Sequence, residues 1–215
     1  MMIPTASLIA TMLLFSLPLH AQELTAQYVL EKVQEKYSTM NDASAQFVQK
    51  TILRFAKKEQ VQSGSVKVKK GNKYRVETGE QLLMTDGTTV WIVSRTNKQV
   101  LIDHFNRNNR VISPEKFLTG LPNDFEVKRI QSVDGVVNML LEPKVRNAQT
   151  RNIRSLTAWI QTGTWVIEKI EYLDLRNNRI EIALSTITFN QQIPDSEFVY
   201  VPPQGMKIVD MRAVQ

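Results

Sequence analysis

The sequence predicts a mainly β fold in which helices cover an antiparallel sheet, and three observations support this prediction. After residue 42, short runs rich in Val, Ile, Thr and aromatic residues are separated by turn residues about every 8 to 12 positions. Several runs alternate with a period of two, as in Lys73–Thr78, where Tyr74 and Val76 share one face. Asp86-Gly87 and Asp134-Gly135 are strong hairpin signals. Together these features indicate consecutive antiparallel strands.

One amphipathic helix precedes the strands. Residues 24–40 place an apolar series on one face at helical spacing, so this helix needs a surface to cover. That series is Ala26, Val29, Leu30, Val33 and Tyr37. The strands predicted next are 45–55, 61–70, 73–78, 81–85, 90–94 and 99–105.

A short helix interrupts the strand series. Ser113-Pro114-Glu115 is a strong helix start, because Ser can cap, Pro fits the first helical position, and an acid favours the positive end of a helix. Phe117, Leu118 and Leu121 give this helix an apolar side before Pro122 ends it. We expect it to cover part of the sheet.

Strands resume after the short helix and complete one domain, residues 22–215. Pro202-Pro203 ends the run at 198–201, since proline cannot continue a central strand. The runs up to residue 189 give a sheet of about eleven strands, and two short runs follow them. These later runs are 124–131, 136–142, 155–160, 165–174, 180–189, 198–201 and the edge run 207–211.

The amino terminus reads as a secretory signal peptide. An apolar stretch from Ile3 to Leu19 ends in Leu19-His20-Ala21 and is followed by Gln22-Glu23, which predicts cleavage after Ala21 and export of residues 22–215. The alternative is an uncleaved anchor. Polar and proline residues dilute the stretch, however, and it falls short of the roughly 20 apolar residues that span a bilayer.

Charge and cysteine content narrow the possible partners. The net charge is +6, from 27 Lys and Arg against 21 Asp and Glu, and both signs are interspersed, which is typical of a soluble mixed-charge surface. The richest basic run, Lys67–Arg75, alternates with apolar residues, so we predict no nucleic-acid partner. Cys is absent, so the exported fold rests on its hydrophobic core and no lipid can be attached to a terminal Cys.

Residues for catalysis are few. His104 is the single histidine outside the signal peptide, which excludes the usual Cys and His zinc sites, and Asp103 would point to the opposite strand face. The glycines are too far apart for a phosphate-binding loop. Two carboxylate pairs remain conceivable for a hydrolase, and these are Glu77 with Glu80 and Asp86 with Asp103.

Apolar residues at alternate positions would instead line one face of a large sheet. These residues are Val66, Val68, Tyr74, Val76, Leu156, Ala158, Ile160, Ile182 and Leu184. They suit an ordinary core, and they equally suit a cavity for an acyl chain, since burial of each methylene contributes about 0.8 kcal/mol without polar partners.

Four segments of the chain have the form of family motifs. They are residues 45–50, a strand, residues 64–75, a strand-turn-strand unit, residues 85–91, an Asp-Gly hairpin ending in Trp, and residues 198–210, which contain Pro-Pro-Gln-Gly. Together they resemble the LolA family, the periplasmic carriers of outer-membrane lipoproteins, and segment 198–210 is the most specific. The resemblance extends over residues 24–211.

This resemblance implies an unclosed antiparallel β-barrel whose concave apolar face is covered by helices. It also implies a periplasmic, monomeric carrier with no enzymatic activity and no cofactor. The carrier would receive lipoproteins from an inner-membrane ABC transporter, shield their acyl chains, and deliver them to an outer-membrane acceptor. The residues expected to bind lipid are Val66, Val68, Tyr74, Val76, Trp91, Phe117, Leu118, Leu121, Leu156, Ile160 and Leu184.

One departure concerns the lid. Many family members have Arg-Pro after the second strand, and the Arg is thought to hold the lid closed, whereas this chain has Lys70-Gly71. Lysine can donate to lid carbonyls but lacks the planar fork of arginine, so our hypothesis is that Lys70 latches the helix at 113–121. Two alternatives stay open: a periplasmic lipid-binding or lipid-sensing module of the same fold, and a secreted hydrolase.

Overall fold

The computed structural model describes residues 24–105, 123–147 and 150–213. These residues contain one α-helix, α1 (Ala26–Ser38), twelve strands, and a short 3-10 helix at Asp195–Phe198. The strands are β1 (Asp42–Leu53), β2 (Lys58–Lys69), β3 (Lys73–Thr78), β4 (Gln81–Asp86), β5 (Thr89–Ser94), β6 (Gln99–His104), β7 (Phe125–Val133), β8 (Val136–Pro143), β9 (Ile153–Gln161), β10 (Ile167–Asp174), β11 (Arg179–Phe189) and β12 (Lys207–Asp210). The predicted helix at 113–121 lies outside the described residues.

All twelve strands belong to one sheet in the order β12-β6-β5-β4-β3-β2-β1-β11-β10-β9-β8-β7. Neighbours pair antiparallel except β12, which runs parallel to β6. The edge strands β7 and β12 do not pair with each other, so within the described residues the sheet is unclosed. The predicted mainly β, unclosed antiparallel fold is confirmed.

Both predicted Asp-Gly hairpins form. Asp134 and Gly135 both have positive φ, 50° and 77°, which is the backbone that a tight two-residue hairpin turn requires. At the other hairpin, the Asp86 carboxylate accepts hydrogen bonds of 2.8 Å from the backbone N–H groups of Thr88 and Thr89. Local sequence chemistry is therefore sufficient to set these turns.

Helix α1 packs on the sheet over β7–β9. Thr25 caps its first turn by accepting a hydrogen bond of 3.2 Å from the backbone N–H of Tyr28. Val29 and Val33 are fully buried against apolar side chains of β7, β8 and β9. At the other end, the Tyr37 hydroxyl accepts a hydrogen bond of 3.1 Å from the backbone N–H of Ile167. The predicted amphipathic face therefore covers this half of the sheet.

The chain after β11 corrects one predicted strand. Residues 198–201 are not a strand, because Asp195–Phe198 forms the 3-10 helix and residues 199–203 carry no regular structure. The reason is tertiary: this segment crosses the sheet, Phe198 is fully buried, and Pro202-Pro203 offers no N–H for a ladder. The chain then returns to an edge as β12, where the sequence predicted the run 207–211.

Candidate functional site

An open cavity of about 490 Å³ lies on one face of the sheet, between β1–β4 on one side and β9–β11 on the other. We call the face of the sheet that carries this cavity the concave face, and the opposite face the convex face. The walls of the cavity are mostly apolar, and the lining side chains include Phe47, Val66, Val68, Val76, Leu83, Leu156, Ile170, Ile182, Leu184 and Phe189. The volume is within the range of about 300–1,000 Å³ found for small-molecule sites.

Strand register brings these side chains together. Across β1 to β4, Ala45 pairs with Val66, Val66 with Val76, and Val76 with Leu83, so four residues of neighbouring strands point into the same space. On the other side of β1, Phe47 is paired with Leu184 of β11. Because alternate residues of a strand face opposite sides, the intervening residues of these strands face away from the cavity.

Gly64 shapes the cavity wall. A Cβ built at this position would lie 2.8 Å from the ring of Phe47 and 2.1 Å from the carbonyl oxygen of Glu77. The Phe47 ring therefore packs directly on the backbone of Gly64, as often happens where a strand glycine permits close approach. This packing makes the Phe47 ring part of the cavity wall.

Polar side chains collect at one end of the cavity. Gln49, Gln62, Thr78 and Gln81 line it where β1 approaches its hairpin with β2, whereas Met40, Ala43 and Phe189 line the opposite end. An apolar interior with a polar rim matches a ligand that has an aliphatic tail and a polar head.

Five of the residues predicted to bind lipid line this cavity: Val66, Val68, Val76, Leu156 and Leu184. Each is a member of the concave face in β2, β3, β9 or β11. Phe117, Leu118 and Leu121 lie outside the described residues.

Three predicted residues, Ile160, Tyr74 and Trp91, have other surroundings. Ile160 is buried in the core that α1 forms with β7–β9. Tyr74 is buried beside Val90, and its ring centroid lies 6.3 Å from that of Phe105. Burial raises the pKa of Tyr74, and its hydroxyl has no hydrogen-bond partner among the described residues. Neither side chain lines the cavity.

The position of Trp91 is a correction. Trp91 pairs with Met84 and Ile102 and packs with them on the convex face, against Tyr200 and Met206 of the carboxy-terminal segment. Its neighbours Val90 and Ile92 are the residues of β5 that face the concave side. The hairpin resemblance located the strand correctly, but the period of two places this ring on the other face.

Several cavity residues were not singled out from the sequence. The cavity lining also includes Phe47, Tyr37 and Phe189. They come together because β1 pairs with β11, which is far away in the chain, and because α1 ends beside these two strands. The rings of Tyr37 and Phe189 meet edge to face, with centroids 6.2 Å apart. Alternation within β1 could have indicated Phe47, but nothing local indicates its pairing with Leu184.

Lys70, the proposed latch, lies in the exposed turn between β2 and β3. Its backbone N–H donates a hydrogen bond of 2.9 Å to the carbonyl oxygen of Asn41. The helix that it would hold lies outside the described residues.

One carboxylate of each pair considered for a hydrolase accepts hydrogen bonds from neighbouring groups. Burial opposes ionisation of Glu77, but hydrogen bonds from Arg75 and Arg95 outweigh it and lower the pKa. Burial likewise opposes ionisation of Asp86, and hydrogen bonds from Thr89 and Thr88 lower its pKa. A general acid needs a raised pKa, so neither carboxyl suits that role. Among the described residues, no cluster of three or more His, Cys, Asp or Glu side chains could hold a metal ion.

Within the ranges that the structure describes, no helix is long and apolar enough to cross a membrane.

Comparison with known proteins identifies the family. Residues 38–201 match the family model described as "Outer membrane lipoprotein carrier protein LolA". An outer-membrane lipoprotein carrier protein of Dechloromonas aromatica is 25% identical over 173 residues, covering 77% of this chain and 79% of the relative. A second carrier, from Azotobacter vinelandii, is 24% identical over 154 residues, covering 68% and 71%.

Two further similarities concern proteins without an assigned function. An uncharacterised protein of Methanocaldococcus jannaschii is 24% identical over 198 residues, which is 90% of this chain but 56% of that relative. The crystal structure of an uncharacterised conserved protein from Thermus thermophilus shares the fold, with a TM-score of 0.55 at 13% identity over 86% of this chain and 98% of that one. Since the family model matches most of the chain, the protein belongs to the LolA family.

Proposed function

We propose that this protein binds the acyl chains of lipoproteins in its concave cavity and carries them through the periplasm. The observation that carries this proposal is the apolar, open cavity of about 490 Å³ with polar side chains at one end. Membership of the LolA family and the two relatives named as lipoprotein carriers support the same function. In this proposal the cargo comes from an inner-membrane ABC transporter and goes to an outer-membrane acceptor.

The chemistry of the walls suits a lipid tail. Side chains such as Val66, Val76 and Leu184 are only half-buried, so each retains apolar surface that a ligand can cover. Exclusion of a tail from water contributes about 0.8 kcal/mol per methylene and requires no directed hydrogen bond. Binding of this kind tolerates different acyl chains, as a carrier of many lipoproteins requires.

Two parts of the proposal come from the sequence. Residues 1–21 act as a signal peptide that is removed after Ala21, which releases the chain into the periplasm. Lys70 holds the cover formed by residues 113–121. Replacement of Lys70 by Leu should leave the fold intact and change the rate of cargo release, and unchanged transfer to acceptor membranes would refute this latch.

The cavity is tested by replacing apolar wall residues with a charge. Val68→Asp and Leu184→Asp should each weaken binding of a fluorescent acyl probe at least about tenfold, because a carboxylate must be desolvated beside the tail. Val133→Asp is the matched control, since Val133 is 59% exposed at the β7–β8 hairpin, away from the cavity. Equal probe binding by all three variants would contradict the proposal.

The cargo is tested by mass spectrometry of what co-purifies with the mature protein from periplasm. Triacylated lipoproteins are expected, and they should be lost in Val68→Asp. Recovery of free lipid alone would favour a lipid-binding or lipid-sensing module instead. Turnover of an ester substrate that depends on His104 or on one carboxylate would favour a hydrolase.

A further inference from the structure

The β1–β2 hairpin projects beyond the neighbouring strand β3. Pairing between β1 and β2 continues to Leu53 and Lys58, whereas the pairing of β2 with β3 ends at Gly64 and Thr78. Residues 58–63 are consequently all exposed. On the other side, β1 remains paired with β11 as far as Arg179, so the β10–β11 turn lies beside this projecting end.

The two turns are connected to each other. The backbone N–H of Arg54 donates a hydrogen bond of 3.1 Å to the side-chain oxygen of Asn178. We call residues 54–59 together with 174–179 the basic end of the sheet.

Large apolar side chains point outward from the basic end. Phe55 is 84% exposed, more than any other large apolar side chain among the described residues, and Leu175 in the neighbouring turn is 51% exposed. An aromatic side chain on a hairpin tip gains nothing for folding from this position, since its ring remains in water. Two apolar tips on adjacent turns form a surface suited to insertion.

Positive charge surrounds these tips. The basic end has five basic side chains and two acidic ones, a net charge of +3 in a chain whose total is +6. The basic residues are Arg54, Lys57, Lys58, Arg176 and Arg179.

Both acidic groups of the basic end have other partners. Glu59 forms a salt bridge of 2.9 Å with Lys50, and the Asp174 carboxylate accepts hydrogen bonds of 2.8 Å from the backbone N–H groups of Arg176 and Asn178. The basic side chains of the two tips are therefore only weakly compensated, and the nearest acidic contact of Arg179 is a distance of 3.8 Å from Glu171.

A shallow depression of about 390 Å³ lies between the two turns. Arg54, Arg179 and Asn177 line it, together with the apolar residues Ile52 and Leu173. Guanidinium groups bind phosphate oxygens with paired, charge-assisted hydrogen bonds. Aliphatic residues next to such groups suit the junction between a phosphate headgroup and its acyl chains.

We propose that the basic end docks on a membrane surface rich in anionic phospholipid. Phe55 and Leu175 enter the interface, and the five basic side chains contact lipid phosphates, in the manner of other peripheral proteins that combine apolar insertion with basic residues. The polar residues Gln49 and Gln62 of the cavity rim lie on the same hairpin. Docking therefore turns the polar end of the cavity towards the bilayer.

Vesicle co-sedimentation of the mature chain tests the proposal. We expect binding to vesicles of equal parts phosphatidylcholine and phosphatidylglycerol, little binding to phosphatidylcholine alone, and release by high salt. Lys57→Glu/Lys58→Glu should reduce binding at least about tenfold, because each basic residue near an anionic surface contributes substantially. Phe55→Ser should reduce it about tenfold through loss of apolar insertion.

Matched controls separate the basic end from net charge and general apolar exposure. Lys128→Glu/Arg129→Glu makes the same charge change on exposed residues of edge strand β7, and Val133→Ser removes another exposed apolar hairpin residue. Both should bind vesicles almost as the unaltered chain does.

Three results would overturn the proposal: absence of vesicle binding by the unaltered chain, equal binding to neutral vesicles, or equal loss in the two charge-reversal variants. Uptake of the acyl probe in solution should be unchanged in Phe55→Ser and in Lys57→Glu/Lys58→Glu. Failure of membrane docking is thereby distinguished from failure of acyl binding.

Discussion

The two faces of strands β2–β5 differ in what covers them. On the convex face, the carboxy-terminal segment packs over Met84, Trp91 and Val93, and Phe198 of that segment is fully buried. On the concave face, Val66 and Val76 are half-buried and border an open cavity. Alternate residues of the same strands therefore serve the fold on one side and offer ligand surface on the other.

Ion pairs between strands β2 and β3 and the 3-10 helix hold the carboxy-terminal segment on the convex face. The Lys67 amine lies 2.7 Å from Glu197, and Lys69 and Lys73 lie 2.7 and 2.6 Å from Asp195. The described residues that line the concave cavity include no Asp, Glu, Lys or Arg. The comparison shows how a period of two lets one strand carry a charged anchoring face and an apolar binding face.

Loss of the Phe198 side chain, which is buried where the carboxy-terminal segment packs on the convex face, should have the largest effect on stability. Phe198→Ala removes a fully buried aromatic side chain and should lower the free energy of unfolding by about 3–5 kcal/mol. Chemical denaturation measures this change. A loss below about 1 kcal/mol would mean that packing of the carboxy-terminal segment contributes little to stability. The convex face would then not differ from the concave face in the way described above.

The path of the chain from β11 to the convex face depends on Asp42. This carboxylate is 2% exposed and accepts hydrogen bonds from the backbone N–H groups of Gln191 and Ile193, at 2.8 and 3.3 Å. Asp42→Ala leaves both donors unsatisfied and should cost about 2–3 kcal/mol of unfolding free energy. Asp42→Asn keeps one acceptor oxygen and should cost less. Equal losses in the two variants would argue against these bonds as the cause.

The same substitution on the two faces should give different results. Val93→Thr places a hydroxyl in a buried site, 2% exposed, and should cost about 1–2 kcal/mol. Val76→Thr places the hydroxyl beside the open cavity and should change stability by less than about 0.5 kcal/mol. Thermal or chemical unfolding of both variants measures the difference, and equal costs would show that Val76 is core rather than cavity wall.

The smallest effect concerns pH. Hydrogen bonds from Lys69 and Lys73 lower the pKa of Asp195 from its ordinary value of 3.8 to about 2. Because the folded pKa is depressed, the contribution of this carboxylate is complete above pH 3.8 and is lost as the pH falls towards 2. Nuclear magnetic resonance titration of the Asp195 carboxyl and the Phe198 amide should show the change in this window. In Asp195→Asn the Phe198 amide should lose this pH dependence.

Local pattern predicted most of the elements. The amphipathic series from Ala26 to Tyr37 became α1, and the period of two in Lys73–Thr78 became β3 with the predicted limits. The Asp-Gly turns formed because their chemistry is contained within a few residues. Five wall residues were found because a strand that alternates toward an apolar face must place its β-branched and leucine residues there.

The two predictions that were wrong concern residues whose position depends on contacts with distant parts of the chain. The run Phe198–Val201 has the composition of a strand, but a buried site on the convex face holds Phe198 and the segment does not pair. Trp91 belongs to a strand buried on both faces, and local pattern does not show which face meets the cavity. Both errors arise because the order in which distant strands and segments pack determines which segment covers each face of the sheet.

The sequence by itself determined the strands, their turns and the alternation that gives each strand two faces, since these follow from residues close together in the chain. Only the tertiary structure decided which face became a cavity. The pairing of β1 with β11 brings Phe47 to Leu184, Asp42 directs the carboxy-terminal segment to the convex face, and α1 packs over β7–β10. The concave surface that remains is not covered by any described segment.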